Sequence, residues 1–256
     1  MVSRFVWHDL MAPDVESAKR FYGELFGWKF DADKASGYVH IKAGEQHIGG
    51  MMKLDSKMGA PPHWLPYVSV DSVDKAVERI GKHGGRVVMP KQDIPNTGSF
   101  AVAMDPKGAA FAPFHSARPE EEPHGRPGAY TFCWDELMTS DTDGAAKFYA
   151  AVFGWGVEHM EMPGFGRYTL LKRPGVKDDK GMERNAGGIM KLPQGVPHPF
   201  WLSYVAVQSC DQTVEKAKRL GATVTAPPMD IPDVGRFAVT LDPQKAAIAV
   251  LQPKMG

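Results

Sequence analysis

The stretch that decides the fold is "DVESAKRFYGELFGW", residues 14–28, because it returns as "DTDGAAKFYAAVFGW" at 141–155. Both carry an aspartate suited to cap a helix, apolar residues at helical spacing (Val15, Ala18, Phe21, Tyr22, Leu25 and Phe26 in the first), and a glycine that ends the run. Self-similarity continues on either side. "FVWHDLMAPD" (5–14) matches "FCWDELMTSD" (132–141), "GGMMKL" (49–54) matches "GGIMKL" (187–192), and "WLPYVSV" (64–70) matches "WLSYVAV" (201–207). "DIPNTGSFAVAMDPKGAAFA" (93–112) matches "DIPDVGRFAVTLDPQKAAIA" (230–249). The chain is one unit written twice. The offset is 127 at the start and 137 over the second half, so the second copy carries extra residues in a hairpin around 172–185.

Each copy runs strand, helix, short strands, and then the same again. In the first copy residues 5–12 alternate like a strand, and two or three short strands lead to Leu54. "LPYVSV" restarts the plan, with a helix from Val73 to about His83 closed by Gly84-Gly85, and strands at 86–89, 99–104 and 109–114. The stretch "SARPEEEPHGRPG" reads as a solvated linker, giving a first domain over 1–115, a linker over 116–128 and a second domain over 129–256.

The bulk numbers narrow the function. The 256 residues have a formal net charge of +0, so neither nucleic acid nor an anionic membrane finds a basic footprint. No apolar run has signal-peptide or membrane-spanning length. Cys133 and Cys210 stand in no metal-type spacing and read as buried thiols of a reducing compartment. The expected setting is the cytoplasm.

A strand ending in "LxxxD", an "AxxFYxxxFGW" helix, a second strand–helix unit and a "DPxG" last strand resemble the vicinal oxygen chelate superfamily of glyoxalases, bleomycin-resistance proteins and extradiol dioxygenases. The resemblance covers one family domain per half. It implies an α+β fold, a tandem repeat of paired βαβββ modules, in which each domain is a curved mixed sheet enclosing a cavity with helices outside. The metal-dependent members carry ligands at positions that hold Trp7, Leu65 and Ala112 here, and Trp134, Leu202 and Ala249 in the second copy, with a fourth near Gly49 and Gly188. None of these side chains can coordinate zinc, iron or manganese. No metal and no cofactor are therefore expected.

Strand parity supplies the replacement. Residues in phase with the family's ligand position share its face: Trp7, Asp9 and Met11, with Trp134, Glu136 and Met138 in the other copy. The second strand of each copy adds Leu65 and Tyr67, then Leu202 and Tyr204, while Ala112 and Ala249 stand on the last strands. Val6, His8, Leu10 and Ala12 should face the helix. Trp64 and Trp201 precede strands and stand as well at a cavity mouth as in the core. "DIPxxG" reads as a turn or as a lid, and Arg236, with Ser99 as its counterpart, hints that the pockets differ.

The function expected is a metal-free protein that binds a small apolar or aromatic molecule in sequestration, sensing or resistance. The alternative is a glyoxalase- or dioxygenase-type enzyme (lyase, isomerase or oxygenase) with a non-standard metal site or a metal-independent acid–base pair. Asp9, Tyr67, Glu136 and Tyr204 are its catalytic candidates. The partner is a small molecule, and the chain is expected to be a monomer (an internal pseudo-dimer) or a weak homodimer.

Overall fold

The computed structural model describes residues 3–118, 127–162, 164 and 166–254; most of the expected linker, 119–126, lies outside the described residues. The fold is α+β, and the described residues form sixteen strands and four α-helices arranged as four βαβββ modules. The first module is β1 (Phe5–Ala12), α1 (Val15–Phe26), β2 (Lys29–Ala32), β3 (Val39–Ala43) and β4 (Gln46–Lys53). The second is β5 (His63–Ser69), α2 (Val73–Lys82), β6 (Arg86–Ile94), β7 (Gly98–Met104) and β8 (Ala110–Ser116). The second copy repeats both: β9 (Phe132–Thr139), α3 (Thr142–Phe153), β10 (Gly156–Met162), β11 (Gly166–Lys177) and β12 (Glu183–Lys191). It ends with β13 (Phe200–Ala206), α4 (Cys210–Arg219), β14 (Thr223–Ile231), β15 (Gly235–Leu241) and β16 (Ala247–Pro253).

There are two eight-stranded mixed sheets, ordered β2-β3-β4-β1-β5-β8-β7-β6 and β10-β11-β12-β9-β13-β16-β15-β14. Within each module the first strand pairs in parallel with the last, as β1 does with β4, and the rest are antiparallel neighbours. The β11–β12 hairpin is longer than β3–β4, where the second copy carries its extra residues.

The helix boundaries follow local chemistry. The Asp14 carboxylate accepts from Ser17 N at the start of α1, and Gly27 closes it at φ 73°. Asp141 and Gly154 do the same for α3. Strand β6 runs to Ile94 rather than ending at residue 89 as expected. It lies at a sheet edge, where Pro90 forfeits no ladder bond that a neighbour needs. The "DIPxxG" segments are hairpin turns held by the backbone, Thr97 N to Ile94 O at 3.0 Å and Val234 N to Ile231 O at 3.1 Å.

By packing the chain divides into two compact units, and each takes one module from each copy. One unit joins residues 7–65 to residues 127–134 and 202–254. Its core sets Leu10, Ala12 and the α1 residues Phe21, Tyr22, Leu25 and Phe26 against Val205, Val214, Ala217 and Ile248. The other unit contains residues 3–6, 66–118 and the described residues of 135–201. Its core sets Val68, Ala76, Ile80 and Phe111 against Leu137, Phe148, Tyr149 and Phe153.

The two motifs that mark the sequence meet in these cores. Tyr22 of the first "FY" helix donates to Asp242 Oδ2 of the second "DP" turn at 2.9 Å, and accepts from Trp64 Nε1 at 3.1 Å. In the other unit Tyr149 donates to Asp105 Oδ2 at 3.2 Å and accepts from Trp201 Nε1 at 2.9 Å. Trp64 and Trp201 are thus core residues, 3% exposed, and not cavity-mouth residues. Each aspartate also organises its own turn. Asp105 Oδ1 accepts from the N–H groups of Lys107, Gly108 and Ala109. Burial raises the pKa of Asp105 and Asp242, and these hydrogen bonds pull the other way.

Candidate functional site

Strand β1 has the parity expected of it. Leu10 and Ala12 are fully buried in the helix-covered core. Trp7 and Asp9 share the opposite face, where Trp7 Nε1 donates to Asp9 Oδ1 at 2.9 Å. A third residue completes the cluster. The Tyr38 hydroxyl donates to the same Asp9 oxygen at 2.6 Å and accepts from Trp7 Nε1 at 2.8 Å. Asp9 is 3% exposed, so its charge needs such partners. Burial, reinforced by the Asp9 charge, pushes the Tyr38 phenol well above its usual pKa, and it stays a proton donor.

Sequence reasoning missed Tyr38. It stands one residue before β3 and belongs to no periodic run. What makes room for it is Gly50 on β4, the register partner of Asp9. A Cβ at Gly50 would collide with the Tyr38 hydroxyl and lie 2.7 Å from Asp9 Oδ1. The second copy repeats the arrangement: Gly188 pairs with Glu136, and a Cβ there would collide with the Tyr168 hydroxyl. The usable signal was the repeat itself, since "YVHIK" (38–42) returns as "YTLLK" (168–172) beside glycine pairs kept in both copies. The register also shows that the counterpart of Gly188 is Gly50, one position beyond the Gly49 read from the sequence.

The remaining candidates are placed as follows. Met11 is half-buried and Leu65 buried, in the unit that holds Trp7. That unit also holds Leu202, Tyr204 and Ala249, all buried. Tyr204 pairs with Ala249 and lies 6.3 Å from the Phe237 ring. Tyr67 and Ala112 belong to the other unit, paired with each other, and Tyr67 sits 5.7 Å from Phe100. Glu136 and Met138 are buried there, while Trp134 is half-buried at the edge of the first unit. Cys133 is half-buried rather than buried: its thiol reaches up to Tyr204 O at 3.4 Å on the neighbouring strand. Cys210 is buried, and its thiol is pushed up to about 11, chiefly by that burial. Arg236 is committed to Asp211, at 2.8 and 3.0 Å, and to Asp230 at 3.1 Å.

The donor set does not fit a metal. Trp7 offers an N–H already shared by two acceptors, Leu65 and Ala112 offer no lone pair, and the Tyr38 hydroxyl fills the space above Gly50. Among the described residues no three His, Cys, Asp or Glu side chains come together as a metal-binding group, and no helix is long and apolar enough to cross a membrane.

A family model described as Glyoxalase/Bleomycin resistance protein/Dioxygenase superfamily matches residues 4–112 and 131–250. The chain is 36% identical to "Putative glyoxylase CFP32" of Mycobacterium tuberculosis, over 96% of this chain and 94% of that protein. It is 32% identical to "Anthracycline biosynthesis protein DnrV" of Streptomyces peucetius, over 98% and 93%. Among solved structures, a Mn(II)-bound glyoxalase from Novosphingobium aromaticivorans shares the fold, with a TM-score of 0.65, 17% identity, and coverage of 98% of this chain and 82% of that one.

Proposed function

The chain belongs to the glyoxalase/bleomycin resistance protein/dioxygenase superfamily, and from that we propose that it is a metal-free member that binds a small apolar or aromatic molecule, in sequestration, sensing or resistance. One observation carries the reading. The indole at the family's histidine position is held by its edge, its N–H shared between Asp9 and Tyr38. A ring fixed in this way keeps its orientation with or without a ligand and offers a flat face for stacking. The second copy carries the corresponding residue types, Trp134, Glu136, Tyr168 and Gly188, in its sequence. Apolar Leu65, Leu202 and Ala249, in the unit that holds Trp7, suit a pocket wall. The likeness to a protein named for anthracycline biosynthesis supports an organic ligand. The reading includes a cytoplasmic monomer or weak homodimer whose partner is a small molecule, not nucleic acid or membrane.

The test is a thermal-shift screen of aromatic compounds, with elemental analysis of protein purified without added metal. A ligand at a hundred times its Kd adds about 2.7 kcal/mol per site, and Trp7→Ala should abolish the first copy's share of that shift and leave the second copy's. About one tightly bound transition metal per copy would overturn the proposal. A second reading, a metal-independent acid–base enzyme of the glyoxalase type, draws on the 2.6 Å bond between Tyr38 and Asp9, which joins a protonated phenol to a carboxylate. Turnover of a glyoxalase or dioxygenase substrate, lost in both Asp9→Asn and Tyr38→Phe, would favour it.

A further inference from the structure

We infer that the two copies are chemically different sites, and that His40 makes the first copy selective for a hydroxylated aromatic ring. The inference rests on the ligand-binding reading above and names the ligand class of one copy.

The register isolates the difference. Across the first module one row of residues runs from Asp9 to Gly50, His40 and Asp31. The corresponding row of the second copy runs from Glu136 to Gly188, Leu170 and Glu158. Acid, glycine and outer acid are kept, and so is the lysine that pairs with the outer acid: Lys42 with Asp31 at 2.5 Å, Lys172 with Glu158 at 3.2 Å. Only the third place changes class, from imidazole to isobutyl.

His40 has the marks of an anchor. Its ring lies 4.9 Å from Tyr38, and 6.3 Å from Trp7 in an edge-on arrangement. Its Nδ1 is buried and meets no hydrogen-bond partner among the described residues. Native proteins seldom leave such an atom without use. The residue as a whole is half-buried, so part of it meets solvent. The ligand group follows from the neighbours. An anion would face Asp9 and Asp31 in the same row, and Lys42 is already committed to Asp31. A metal cation is disfavoured because, among the described residues, no three His, Cys, Asp or Glu side chains gather as a metal-binding group. A hydroxyl both donates and accepts, and therefore matches either tautomer.

The experiment compares naphthalene with 2-naphthol by calorimetric titration of the full chain. Wild type should take 2-naphthol roughly tenfold more tightly at one of two sites, the worth of one hydrogen bond, and bind naphthalene at both sites alike. His40→Leu should abolish that preference by lowering 2-naphthol affinity roughly tenfold more than naphthalene affinity, His40→Asn should keep part of it, and Leu170→His should create it at the second site. Equal preference in wild type and His40→Leu overturns this inference alone, as does a His40→Leu variant that loses naphthalene and 2-naphthol equally. Binding of neither probe to wild type overturns the ligand-binding reading and this inference with it.

Discussion

Replacing Tyr22 with phenylalanine tests the joint between the two copies. The ring remains, so no cavity of consequence opens. What goes is the donor to Asp242 Oδ2 at 2.9 Å and the acceptor for Trp64 Nε1 at 3.1 Å, where Tyr22 is 0% and Asp242 1% exposed. A hydrogen bond to a charged group contributes about 1.5–3 kcal/mol, and stranding the indole N–H adds a desolvation cost, so the expected loss is about 3 kcal/mol. Urea unfolding followed by fluorescence and circular dichroism measures it. The loss should also depend on pH. Burial raises the Asp242 pKa and the Tyr22 hydroxyl counters that rise. A group with a raised folded pKa contributes stability that is present below its unfolded pKa and lost as pH rises through the folded one. Removing Tyr22 raises the folded pKa further, so the penalty should be small in acid and grow as pH climbs through the Asp242 titration. A loss below about 0.5 kcal/mol, the range of ordinary surface changes, or one that is the same at acid and neutral pH, would refute the reasoning.

Tyr149→Phe should behave likewise through Asp105, with the same pH trend. Gly50→Ala should displace the Tyr38 hydroxyl, cost about 1–3 kcal/mol by overpacking, and weaken binding of an aromatic probe; an unchanged melting temperature would mean that the ring does not sit over Gly50. Asp9→Asn keeps the shape and removes the charge, so the Tyr38 phenol should titrate at lower pH in an ultraviolet absorbance titration; no movement would show that Asp9 exerts no field on it. Residues 127–256 expressed alone should be either unfolded or dimeric by light scattering, because Tyr149 and Asp242 would each lack the partner that the first copy supplies.

Much of this molecule is legible in its residues. Asp14, Asp141, Gly27 and Gly154 mark helix ends because capping is a local event. Alternation in β1 separates Leu10 from Trp7 and Asp9 because a strand has only two faces. Tyr38 was not legible: its place depends on the absence of a side chain at Gly50, on another strand. Trp64 was open for a similar reason. Its destination is a hydroxyl 42 positions away in sequence, which is in turn fixed by an aspartate 220 positions beyond that hydroxyl. Periodicity reports which face a residue occupies. It does not report which distant polar group will be waiting there.

The reciprocal Tyr–Asp exchange has a historical consequence. Two separate chains, each a single copy, could make the same exchange across a homodimer, tyrosine of one to aspartate of the other. In such an ancestor any mutation would strike both halves at once, and the two faces would stay identical by symmetry. Fusion into one gene removes that constraint while keeping the joint. The conserved motifs would then be what the fused halves still owe each other, and the difference between His40 and Leu170 what each became free to change.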